Sequence, residues 1–81
     1  MNLEREALRG RLTGLKDERR KLRLKAEGLA AGIRQGLQTA LVDVEEIDIA
    51  QAAQQMDELV TTMGELAGLQ GQIARIEKEL R

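Results

Sequence analysis

The densest run of charged side chains is Lys16-Asp17-Glu18-Arg19-Arg20-Lys21-Leu22-Arg23-Leu24-Lys25, with six Lys/Arg in ten residues. Laid along a helix, these cations make a basic face suited to phosphates, with Arg20, Lys21, Arg23 and Lys25 as its outward members. Three features weigh against nucleic acid as the ligand. The chain carries a net charge of −1, it has no aromatic residue to stack on a base, and Asp17 and Glu18 dilute the patch. A charge run on a long helix is ordinarily its solvated face.

The second cluster is acidic. Asp43, Glu45, Glu46 and Asp48 crowd one short segment and have the chemistry to hold a divalent cation. The segment lacks the glycine and the terminal glutamate of an EF-hand loop, so a solvated turn with Asp48 capping a helix is the simpler reading, and no metal site is expected. Nucleophilic catalysis finds no support: Ser, Cys and His are all absent, and Thr13, Thr39, Thr61 and Thr62 have no evident base. No phosphate-cradling glycine loop occurs. The expectation is a protein that is not an enzyme, with no cofactor and no small-molecule substrate.

The elements that carry these residues read as helices. There is no Pro to break a helix, and no Phe, Tyr or Trp to favour a strand. Leu8, Leu15, Leu22 and Leu29 recur every seven residues. Leu12, Ala26, Ile33 and Ala40 form a second such series, interrupted by Arg19. This is a heptad pattern, and it predicts helix 1 over about residues 3–41. The pattern fails across Val42, Asp43 and Val44. Asp48 followed three residues later by Gln51 is a capping signal, with Ile47 placed to staple onto Ala52, so helix 2 is predicted over about residues 49–80. Ala52, Leu59, Leu66, Ile73 and Leu80 continue the sevenfold spacing. Met56 and Met63 begin the companion series, which then meets Gln70 and Glu77.

A connection of about six residues forces the helices antiparallel. The fold class is therefore all-α, a single helical-hairpin domain over residues 1–81. Charge agrees with this pairing. Residues 1–34 carry ten Lys/Arg against five Asp/Glu, and residues 35–81 carry three against nine, so a basic helix lies against an acidic one. With the turn centred near Glu45, Arg19 faces Gln70 and Leu12 lies near Glu77. Arg19 and Gln70, with Glu77, are thus expected to form a polar layer that fixes register.

The expected core and interface comprise Leu8, Leu12, Leu15, Leu22, Leu29, Ile33, Met56, Leu59, Val60, Met63, Leu66, Leu69, Ile73, Ile76 and Leu80. Val60, Leu69 and Ile76, with Ala53, Ala67 and Ala74, widen the stripe of helix 2 beyond what one seam needs. Widened stripes belong to helices packed against two neighbours. The expectation is a homodimer forming a four-helix bundle, or a helical protein partner supplying the missing surface. Function is then oligomerisation, as an adaptor or scaffold module acting through coiled-coil packing. The alternative is a nucleic-acid-associated accessory or regulatory protein using the basic face of helix 1, and a third is a chaperone-like clasp. No apolar leader or membrane-spanning stretch is read in the sequence, and the absence of Cys suits a reducing cytoplasm. Gly28, Gly32 and Gly36, spaced by four, are read either as close helix approach or as tolerated exposed positions.

Overall fold

A computed structural model describes residues 2–81; Met1 lies outside the described residues. Two helices account for most of it. Helix α1 spans Leu3–Gly36 and helix α2 spans Ile49–Leu80, joined by an irregular connection that holds a single 3-10 turn at Val44–Glu46. No strand occurs among the described residues. The helices run antiparallel in a rod whose longest dimension is 65 Å.

Each helix starts on a side-chain cap. The Asn2 side-chain oxygen accepts from the Arg5 N–H at 3.1 Å, and Glu4 and Glu6 sit in the first turn of α1, where the helix dipole favours anions. Asp48 Oδ1 accepts from the Gln51 N–H at 2.9 Å. This satisfies one of the orphan donors of α2 and fixes its first residue at Ile49. Ile47 and Ala52, flanking that cap, are both half-buried.

Helix α1 ends at Gly36, short of the expected residue 41. The reason is the length of its neighbour. Gly32 meets Gln55 across the seam, so residue 38 is already level with the start of α2. A longer α1 would overhang with nothing to pack against. Leu37 instead closes the helix, its N–H bonded to the Ile33 carbonyl at 3.1 Å, and residues 37–48 form a connection longer than the six residues expected.

Along the α1 side of the seam Leu8, Leu12, Leu15, Leu22 and Leu29 are half-buried, Ala26 and Ile33 are buried, and Arg19 stands half-buried in the same line. On α2 the series Ala52, Leu59, Leu66, Ile73 and Leu80 faces inward. Its companion column, however, is Gln55, Thr62, Leu69 and Ile76, one position before the Met56 series. A straight helix can turn only one of these columns inward. Choosing the Met56 column would bury about two methionines, worth about 1.5–3 kcal/mol each. It would also bury the Glu77 carboxylate, at several kcal/mol, and would expose Leu69 and Ile76. The observed rotation buries both aliphatics and accepts Thr62 as the cost.

Candidate interaction surface

The rotation of α2 decides what the hairpin shows to its surroundings. Positions one beyond the seam, at about 100° per residue, fall on the same broad face of both helices because the helices are antiparallel. On α2 that flank carries Ile49, Ala53, Met56, Val60, Met63 and Ala67, followed by Gln70 and Ala74. Val60 is 64% exposed, Ile49 66% and Met63 52%. The spacing alternates four and three, as in the seam itself. Helix α2 therefore carries two apolar stripes about a quarter-turn apart, and α1 covers only one of them.

On α1 the same broad face carries Arg9, Lys16, Arg20, Arg23 and Arg34, with Thr13, Glu27 and Ala30 between them and Glu6 before them. Lys16 Nζ reaches Glu77 at 3.4 Å across this face, which fixes the two flanks as neighbours. A shallow groove between the helices is lined by Arg23, Ala26, Glu27, Met63, Leu66 and Gln70. The surface is thus an apolar ridge on α2 beside a mixed, predominantly basic flank on α1.

The run at residues 16–25 does not form one continuous basic track. Arg20 and Arg23 share a groove with Lys16, Arg19, Leu24 and Glu27, whereas Lys21 and Lys25 lie on the far side of the α1 ridge by helical angle. Arg20 and Lys21 both reach back to Asp17, at 2.7 and 3.2 Å. These contacts, with the Arg20 hydrogen bond as the largest cause and the Lys21 hydrogen bond next, hold the Asp17 carboxyl below its ordinary pKa. Two of the four outward cations therefore already share a local counter-ion.

The other singled-out residues are dispersed. Arg19 stands in the seam, Gln70 is exposed on the flank, and Glu77 pairs with Lys16. Among the described residues no hydrogen bond links the three. Besides Arg19, two polar side chains of α2 enter the seam: Gln55, half-buried, and Thr62, which is 1% exposed and donates its hydroxyl to the Glu58 carbonyl at 2.8 Å. Sequence reasoning missed both. The signal was present, since Thr62 lies seven residues before Leu69 and fourteen before Ile76.

At the turn, Asp43, Glu45 and Glu46 are exposed and Asp48 is engaged as a helix cap. No group of three or more carboxylates close enough to hold a metal ion occurs among the described residues. No helix of the described residues is long and apolar enough to cross a membrane.

Of the helical glycines, only Gly32 has a close neighbour, Gln55 Nε2 at 3.1 Å from the place a Cβ would occupy. Gly10, Gly14, Gly28, Gly36, Gly64, Gly68 and Gly71 face open space, so the hairpin's own packing does not require them.

Comparison with protein families, with curated proteins and with solved structures finds no match to this chain.

Proposed function

We propose that the chain is a non-enzymatic assembly module, an adaptor or scaffold element that works by helix packing and closes its second apolar stripe with another copy of itself into a four-helix bundle. One observation carries this reading: Ile49, Ala53, Met56, Val60, Met63 and Ala67 form an exposed stripe with the periodicity of a packed seam, on a helix whose other stripe is already used. In a four-helix bundle each helix faces two neighbours about a quarter-turn apart. Contiguous exposed apolar surface of this kind is a mark of an association site.

Light scattering coupled to size exclusion tests the reading. The expected mass is twice the 9.0 kDa of the single chain, and Val60→Asp, placed on the stripe and away from the intramolecular seam, should return it to one chain without loss of helix. A folded single chain at micromolar concentration overturns the proposal.

Contact with nucleic acid is the second reading, and Lys16, Arg20 and Arg23 along one groove support it. The engagement of Arg20 by Asp17 and the absence of aromatic residues place it behind assembly. It requires binding that weakens steeply with salt and is lost in the Arg20→Glu/Lys21→Glu/Arg23→Glu variant.

A further inference from the structure

We infer that two copies pair through α2 on α2, antiparallel, about a twofold axis level with residue 58; this rests on the self-association proposed above and specifies its geometry. The exposed stripe is self-complementary about that level. Reversing α2 on itself sets Ile49 opposite Ala67, Ala53 opposite Met63 and Met56 opposite Val60, and the reciprocal contacts repeat the set. Two of the three levels join a large side chain to an alanine and the central one joins Met56 to the smaller Val60, so no layer is left hollow. The apolar run is bounded on one side by the Asp48 cap and on the other by Gln70, so this register buries the whole stripe and no polar member of it.

The other twofold arrangements fit less well. A parallel pair sets Ala53 on Ala53 and Ala67 on Ala67, leaving voids, while Met56, Val60 and Met63 each meet their own kind. Stacking with the axis along the rod places the apolar ridge of α2 on the Arg20 and Arg23 flank of α1.

The α1 helices of the two copies then meet as well. Because Gly32 meets Gln55, residue 29 of α1 lies level with the axis. Small Ala30 then sits at the centre of the α1 contact. Arg34 of the second copy falls between Arg23 and Glu27, within about one helical turn, ~5.4 Å along the axis, of each, so attraction to Glu27 is offset by repulsion from Arg23, and the relation is reciprocal. The contact over residues 49–67 runs about 27 Å along α2, with α1 lying beside it. Two helix–helix contacts of that length are on the order of the ~1,200 Å² from which stable interfaces begin. The assembly is staggered: the connection-proximal halves form a central four-helix section, and the opposite ends protrude as two-helix arms.

The chain has no cysteine, so single-cysteine variants report this geometry cleanly. Ala53→Cys and Met63→Cys are each oxidised alone and as an equal mixture, with mass measured alongside. In the inferred pairing two copies of residue 53 lie about 15 Å apart along the axis, beyond disulfide reach. Residues 53 and 63 face each other, so the mixture should give at least about tenfold more linked dimer than either variant alone. Scattering of the wild-type dimer should show a maximum dimension of about 80 Å, against 65 Å for one hairpin. A dimer in which Ala53→Cys links to itself, or in which the mixture links no better than its parts, overturns the antiparallel geometry and leaves assembly standing. A single-chain mass removes both.

Discussion

Lys16 Nζ and the Glu77 carboxylate, 3.4 Å apart, form the ion pair that crosses from one helix to the other; the remaining ion pairs among the described residues lie within α1. Both partners are about half exposed, so the contact is worth about 0.2–1 kcal/mol. Its value lies in register. Glu77→Lys should lower the urea midpoint, followed by circular dichroism since the chain has no aromatic chromophore, and Lys16→Glu added to it should restore most of the loss. Additive loss in the double variant would mean that the two side chains act independently.

Thr62 should separate hydroxyl from methyl. Its Oγ1 bonds a carbonyl of its own helix, a contact that adds little to folding. Thr62→Val keeps the shape and should be neutral or stabilising by up to about 1 kcal/mol. Thr62→Ser loses a buried methyl and should cost about 0.8 kcal/mol. A destabilised Thr62→Val would assign the hydroxyl a structural role.

The helical glycines offer a sharper contrast. Gly10→Ala and Gly28→Ala place a Cβ in open space and should each stabilise by about 0.5–1 kcal/mol through helix propensity. Gly32→Ala meets Gln55 Nε2 and should gain less. Thermal midpoints in the three variants give the order directly, and a lowered midpoint for Gly10→Ala would reveal a neighbour that the isolated hairpin lacks.

Asp17 sets a small acid dependence. Its carboxyl is held below its ordinary value of 3.8 by Arg20 and then Lys21. A depressed carboxylate contributes stability that is full above the unfolded pKa and is lost as pH falls through the folded one. Asp17→Asn should therefore be less helical than wild type at neutral pH, and the difference should close on acidification below 3.8. A gap that stays constant with pH would attribute the effect to something other than ionisation.

The sequence was most legible where a single local cause acts. Asp48 and Gln51 mark the start of α2 because a cap is a contact over three residues. The leucine column of α1 marks its inner face because no competing column exists there. The end of α1 was not legible, since Ala40 prolongs the heptad and only the position of α2 shows that the prolongation would meet nothing. The second column of α2 was hidden for a related reason. Met56 and Met63 favour one rotation and Leu69 and Ile76 the other, and the choice depends on a sum over the whole helix that includes the Glu77 carboxylate. The exposed stripe was legible in Val60, Ala53, Ala67 and Ala74. Met56 and Met63 also fit the sevenfold spacing of a seam, so the full extent of the stripe emerges only from the rotation of the helix.

Arg5 donates from its guanidinium to the Leu80 carbonyl at 2.7 Å, bringing the beginning of α1 against the end of α2. Whatever is fused to residue 2 or to residue 81 therefore emerges at the same pole of the rod, remote from the connection. In the staggered pair that we infer, the two poles would point in opposite directions. A cargo on one copy and a cargo on the other would be held apart like weights on a bar, while two cargos on a single copy would be held side by side.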